Sequence, residues 1–243
     1  MKVIIAKDYA EVSRLGADII EKIVREKPDC TLGLATGSSP VGMYQELQRR
    51  CRSEGLDFSK VHSVNLDEYV GLEPTHDQSY RYFMNDNLFD HINIDKNNTY
   101  VAKGVGDVEA NLREFNAVLD QTDIDVQVLG VGPDGHLGFN EPGATLYDGA
   151  HQETLDESTI AANQRFFASR DEVPRYAVTM GMGNIMRAKK LLMIVSGSKQ
   201  DAMRQLLLND KIDPRCPATF LRLHRDAVVI LEQKLADEIG YRG

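Results

Sequence analysis

Short runs of β-branched and aliphatic residues alternate along this chain with longer segments whose apolar residues recur every three or four positions. Few folds accept that alternation. A short, unbroken apolar run reads as a strand buried on both faces, and the segments between such runs read as the helices that bury it. The pattern therefore predicts an α/β fold: an open, mostly parallel sheet with helices on both faces, Rossmann-like. Residues 3–6 begin the sheet. Val12, Leu15, Ile19, Ile20, Ile23 and Val24 then mark a helix started by Asp8 or Ser13 and ended by Pro28. Residues 31–35 and 61–66 are the next strands, with a helix through Tyr44, Leu47 and Cys51 between them. Residues 78–92 and 108–119 read as helices, 100–102 as a short strand and 125–131 as a strong one. Residues 175–180, 191–195 and 227–231 supply the last strands, with a helix over 198–208 between the latter two. With 243 residues and no repeat, linker or low-complexity tract, the chain reads as one domain over 1–243. Residues 154–172 are the least patterned and are expected to form a mobile lid.

Composition removes several classes of function. Lys and Arg number 28 against 37 Asp and Glu, a net charge of −9 that repels phosphate backbones and anionic lipid, so no nucleic-acid partner is expected. The apolar runs fall far short of the 18 or so residues of a spanning helix, and the opening eight residues are too short and too soon charged for a signal peptide. Membrane and secreted readings are thereby disfavoured. Cys30, Cys51 and Cys216 are widely spaced with no Cys-x-x-Cys pair, which argues against a disulfide framework or a zinc ribbon. The expected location is the cytoplasm.

Ligands of open parallel sheets lie beyond the carboxyl ends of the strands, so residues just after strands carry the most functional weight. Thr36-Gly37-Ser38-Ser39-Pro40 follows one strand and precedes a helix, where backbone N–H groups and the helix dipole can face an anion; an N-capping turn is the plain alternative. No Walker loop or Gly-x-Gly-x-x-Gly is present. Asp67-Glu68-Tyr69 puts a carboxylate pair at a strand end. It reads either as a solvated loop or as a partly desolvated acid fit to move protons. The stretch from Gly132 to Gly143 holds four glycines and two prolines and cannot be regular structure. Within it Asp134, His136 and Glu141 form a cluster in which a carboxylate can fix the imidazole tautomer and raise its basicity. A metal site is the rival reading, disfavoured because no second His or His-x-x-x-His spacing is nearby. Lys199 follows a buried strand and opens a helix, and Arg165 sits beside two aromatics in the unpatterned segment. Both suit phosphate contacts, and both suit ordinary surface. No Gly-x-Ser-x-Gly supports a serine nucleophile.

The segments 34–40, Asn65-Leu66-Asp67-Glu68-Tyr69, 130–142 and Asn163-Gln164-Arg165-Phe166-Phe167 resemble those of the glucosamine-6-phosphate deaminase family over nearly the whole chain. The related 6-phosphogluconolactonases share the Asp-Gly-His element but lack Phe139-Asn140-Glu141-Pro142. The resemblance implies conversion of D-glucosamine 6-phosphate and water to D-fructose 6-phosphate and ammonia, in amino-sugar catabolism, with no cofactor. It implies Asp67 as the base at C2 and His136, placed by Asp134 and Glu141, as the ring-opening group. It also implies phosphate contacts from Thr36, Gly37, Ser38, Ser39, Arg165 and Lys199. Regulated members of the family bind N-acetylglucosamine 6-phosphate at basic residues where this chain has His151 and Glu153, and carry a longer tail than Tyr241-Arg242-Gly243. Simple saturation kinetics are therefore expected. A homo-oligomer is compatible with the sequence, but the hexamer linked to cooperativity is not assumed.

Overall fold

The computed structural model describes residues 1–243, the side chain of Ala162 excepted. The first half of the chain contains β1 (Lys2–Ala6), α1 (Tyr9–Glu26), β2 (Thr31–Leu34), α2 (Val41–Ser53), β3 (His62–Asn65), β4 (Asp67–Tyr69), α3 (Tyr80–Asn87), β5 (Thr99–Tyr100) and α4 (Val108–Asp120). The second half contains β6 (Val126–Leu129), β7 (His151–Thr154), α5 (Glu157–Asn163), β8 (Tyr176–Thr179), α6 (Met182–Arg187), β9 (Leu191–Val195), α7 (Gln200–Leu207), β10 (Ala227–Glu232) and α8 (Gln233–Ile239). Helix α1 starts where its capping chemistry places it: the Asp8 carboxylate accepts the Glu11 N–H at 2.9 Å, and Val12, Ala17, Ile20 and Val24 face inward.

Seven strands form one parallel sheet in the order β1-β10-β9-β6-β2-β3-β5. From β2 the chain moves outward through β3 and β5, then returns to β6 on the other side of β2 and continues through β9 to β10. Adjacent strands β2 and β6 thus flank a topological switch point, where the loops leaving their carboxyl ends diverge and open a crevice. Strand β9 is buried along its whole length and β10 over all but its last residue. This is the burial that a strand covered on both faces requires.

The structure departs from the sequence-based expectation in one consequential place. Residues 175–180 do not extend the parallel sheet. Strand β8 instead pairs antiparallel with β4 and β7 in a separate three-stranded sheet, with Asp67 and His151 both opposite Thr179. Asp67-Glu68-Tyr69 is therefore a strand rather than a loop, and β7, with its polar His-Gln-Glu-Thr sequence, was not expected at all. The helix expected over 78–92 is also shorter, ending at Asn87 before a separate 3-10 turn, Phe89–His91. Under the small sheet lies its own apolar cluster of Tyr69, Phe139, Leu155, Ile160, Val173 and Ala177, against which Tyr80 and Phe167 pack. Segment 154–172 is built over this cluster from α5 and two 3-10 turns.

Candidate active site

The loop after β2 turns at Gly37, whose φ of +86° a residue with a side chain resists. Tyr9 of α1 holds it from behind. The Tyr9 hydroxyl lies 3.0 Å from the carbonyl oxygens of both Ser38 and Ser39 and accepts the Gly42 N–H at 2.9 Å. Ser39 Oγ lies 3.0 Å from Ser196 Oγ, which joins this loop to the end of β9. Three residues further on, Lys199 stands at the N-cap of α7. Burial and the neighbouring Arg165 charge push the Lys199 ammonium below the usual lysine range, against the pull of Asp134. Arg165 comes from the other direction, on the 3-10 turn Gln164–Phe166, with its guanidinium 4.7 Å from the centre of the Phe166 ring. Two cations repelling each other beside a ring of hydroxyls and backbone N–H groups make a seat for an anion, which relieves that repulsion.

The loop after β6 carries the acid–base groups. His136 Nδ1 lies 2.8 Å from Asp134 Oδ1, which also accepts the His136 backbone N–H at 3.1 Å, and 3.6 Å from Glu141 Oε2. Burial works against Asp134, yet His136 holds its carboxyl below the usual range. Burial raises Glu141, opposed by His136 and the Thr159 hydroxyl. Asp134 is therefore the charged partner of the imidazole. With Nδ1 facing two acids, Nε2 is the nitrogen left for proton transfer. One atom each from Asp134, His136 and Glu141 falls within 4.8 Å of the others, a spacing that a cation could bridge. The contact between Nδ1 and Asp134 is short but its angle does not make a hydrogen bond, and Nδ1 and Glu141 Oε2 are both buried without a partner.

Asp67 completes the cleft from the small sheet. Its carboxyl is 5% exposed, and burial, then the adjacent Glu68 charge, lift it well above the usual carboxylate range. Neighbouring residues of a strand point to opposite faces. Asp67 lines the cleft, whereas Glu68 turns its carboxylate toward the start of α3 and accepts the backbone N–H groups of Tyr69, Tyr80 and Arg81. The β6 loop passes close over Asp67 at Gly138, where φ is +60° and a β-carbon would stand 2.9 Å from Thr179 Oγ1 and 3.3 Å from Asp67 Oδ2. No side chain fits there.

One cleft is lined by Thr36, Gly37, Ser38, Ser39, Asp67, Asp134, His136, Arg165 and Lys199. Glu141 lies behind the wall, 8% exposed, where it reaches the imidazole and approaches the Asp156 N–H at 3.5 Å. Sequence reasoning missed Tyr80, Ser158, Thr159 and Asn163, which also line the cleft, and Thr179, whose hydroxyl accepts the Phe139 N–H at 3.1 Å. Tyr80 opens α3 just after its Ser79 N-cap, a signal for a helix start but not for a place in the cleft.

A switch-point crevice that seats an anion beside an acid-braced imidazole and a buried aspartate is equipped for proton transfer on a small anionic molecule. By sequence the chain belongs to the family described as glucosamine-6-phosphate isomerases/6-phosphogluconolactonase, whose profile matches residues 7–230. It is 51% identical over 238 residues to a glucosamine-6-phosphate deaminase of Clostridium perfringens, covering 97% of this chain and 98% of the relative. A glucosamine-6-phosphate deaminase of Thermoanaerobacter sp. (strain X514) is 46% identical over 242 residues, covering 98% and 95%. Among solved structures, a monomeric glucosamine-6-phosphate deaminase superposes with a TM-score of 0.95 at 41% identity over 100% of both chains. A 6-phosphogluconolactonase from Leishmania guyanensis shares the fold at a TM-score of 0.79 and 18% identity over 98% of both chains.

Proposed function

We infer that this chain is a glucosamine-6-phosphate deaminase, converting D-glucosamine 6-phosphate and water to D-fructose 6-phosphate and ammonia. The observation that carries the reading is that Asp67 and His136, from different sheets, line one cleft with the cation pair of Arg165 and Lys199. The 6-phosphate sits against residues 36–39, Arg165 and Lys199, far from the reacting carbons, so its binding energy goes into orienting them. His136 Nε2 carries the proton from the anomeric hydroxyl to the ring oxygen, and the open-chain aldehyde results. Asp67 then removes the C2 proton, acidified by the C1 carbonyl and the C2 ammonium. A carboxylate raised in basicity by burial suits that step. Proton return to C1 gives the C2 imine; water adds to C2 and ammonia leaves. Residues 154–172 close over the substrate as a lid and bring Arg165 with them.

Simple saturation kinetics follow from the same reading. At the position where regulated relatives place basic residues, His151 Nε2 lies 3.2 Å from Glu153 Oε2 and its ring stacks on Tyr147 at 4.0 Å between centroids. The Glu153 carboxylate at that position repels a second sugar phosphate. A sigmoidal substrate curve abolished by N-acetylglucosamine 6-phosphate overturns this expectation. The chain acts on a small sugar phosphate, and no helix among the described residues is long and apolar enough to cross a membrane. We place the enzyme in the cytoplasm and expect no nucleic-acid partner. The deciding assay offers glucosamine 6-phosphate and 6-phosphogluconolactone side by side: ammonia from the first supports the deaminase, whereas acid release from the second without ammonia from the first removes it.

A further inference from the structure

Glu68 is the most deeply buried acid of the molecule, 2% exposed, and the steps above do not use it. Its carboxylate is fully engaged with backbone. Oε1 accepts the Tyr69 N–H at 2.9 Å, both oxygens lie 2.9 Å from the Tyr80 nitrogen, and Oε2 accepts the Arg81 N–H at 3.1 Å. Tyr80 and Arg81 are the first two residues of α3. The next donor of that turn, the Tyr82 N–H, goes to Ser79 Oγ at 3.0 Å. Helix α3 is thus tied at its first turn to the strand that carries Asp67, and its first side chain, Tyr80, is a wall of the cleft. The Tyr80 ring is parallel to Phe139 at 6.0 Å and tilted against Tyr69 at 4.9 Å, so moving the start of α3 moves the aromatic surface beside Asp67.

The choice of a carboxylate at this place needs a reason, because desolvating one is expensive and a neutral amide can also accept N–H groups. Burial pushes Glu68 up to about 7, against three N–H bonds and the Arg81 charge. The nearby Arg81 charge offsets that of the pair only from a distance, without an ion pair to Glu68. Arg81 directs its guanidinium to Thr99, with Nη1 2.8 Å from Oγ1 and Nη2 3.1 Å from the carbonyl oxygen. The other groups facing the pair are the phenols of Tyr69 and Tyr80, Val178 and Thr179 from β8, Gly138 of the β6 loop and the backbone at Gly104; Lys103 is paired with Glu114 at 2.7 Å.

We propose that Glu68 is a positioning residue for proton transfer at Asp67: it fixes the Tyr80 ring through the start of α3, and its charge, one residue from Asp67, strengthens that aspartate as a base. The proposal rests on the reading of Asp67 as the base at C2. The experiment measures exchange of the substrate C2 hydrogen with deuterated solvent from acid to alkaline pH in the full-length protein. Glu68→Gln removes the like charge that Glu68, pushed up to about 7, carries above that pH, so the part of the acid limb that lies there moves to lower pH by about one unit, and the plateau falls because the base is weaker. Ser79→Ala is the structural control. It removes another bond at the start of α3 and leaves the charge, so it lowers the plateau without moving the limb. Glu68→Asp keeps the charge on a shorter arm and likewise leaves the limb in place, which keeps the test open if Glu68→Gln does not fold. An unmoved limb in Glu68→Gln, an equal shift in Ser79→Ala, or a downward shift in Glu68→Asp overturns the proposal. Exchange retained in Asp67→Asn instead overturns the role of Asp67, a separate failure.

Discussion

The parallel sheet and the small antiparallel sheet contribute opposite halves of one cleft, and they are built on different physical terms. The parallel sheet is buried on both faces. Its strand-end loops 36–39 and 132–138 and Lys199 are held by covered strands and by ties such as those made by Tyr9 and Ser196. The small sheet has three short strands, one of them only three residues long, over a cluster of six buried apolar side chains, and it carries Asp67 and leads into segment 154–172. The imidazole, the hydroxyl loop and Lys199 rest on the larger core. The segment proposed as a lid rests on the smaller one, from which local opening costs less. Asp67 and His136 line the cleft where the two meet.

Substitutions can break this division of labour, beginning with the largest effect. Asp67→Asn on the small sheet lowers C2 exchange by about 10²–10⁴ while substrate affinity stays within a few-fold, because the anion seat belongs mainly to the other half. Comparable losses in affinity and exchange would show that the two halves are not separable. His136→Gln, on a loop of the parallel sheet, slows turnover by about 10² or more through ring opening. A pH–rate profile that recovers wild-type turnover at any pH contradicts the role of the imidazole. Lys199→Ala raises KM by about tenfold or more with a smaller change in kcat, the cost of one charge-assisted contact. The free enzyme's Lys199 titrates below the usual lysine range, so wild-type KM climbs as pH rises toward that range, and the variant loses the climb.

Two weaker perturbations separate the cores. Leu155→Ala, at a buried side chain of the small cluster, raises the rate of backbone hydrogen exchange across 154–172, with a local cost of about 2 kcal/mol, and leaves β9 and β10 protected. Loss of protection in β9 would mean that the two cores unfold as one. Asp125→Asn lies at the far end of the parallel sheet, where the carboxylate meets Lys27 at 2.8 Å, Lys189 at 2.9 Å and the Thr31 N–H at 2.9 Å. Burial opposes ionisation there, but the two lysines hold its folded-state value below the usual one. Its contribution is therefore present above the unfolded carboxylate value and fades as pH falls through the lowered one. The variant loses about 1 kcal/mol by denaturant titration at pH 7, the two proteins converge in acid, and activity is unchanged.

The parallel sheet is legible in the sequence because a strand covered on both faces must be apolar at every position, as Leu191-Leu192-Met193-Ile194-Val195 is. The small sheet is not legible in this way. Asp67-Glu68 and His151-Gln152-Glu153 carry no strand signal of their own, and their conformation comes from pairing with β8, itself readable as one more parallel strand. The candidate site divides along the same line. Glycine, hydroxyl and imidazole residues after β2 and β6 announce themselves by following apolar runs, as Lys199 does after β9. Tyr80, Thr159 and Thr179 reach the cleft region by routes no local pattern records. Glu68 beside Asp67 is the sharpest case: two adjacent acids look alike as letters, and strand alternation sends one to the cleft and the other under a helix.

What the chain determines by itself is the set of strands that must be buried and the kinds of side chain that follow them, since burial on two faces and turn chemistry act over a few residues. Which loops meet, which acid of a pair faces the substrate, and how closely an imidazole sits to its carboxylates are decided only in three dimensions. Those outcomes depend on contacts between segments tens of residues apart, where small differences in packing and desolvation energy, rather than local preference, select the arrangement.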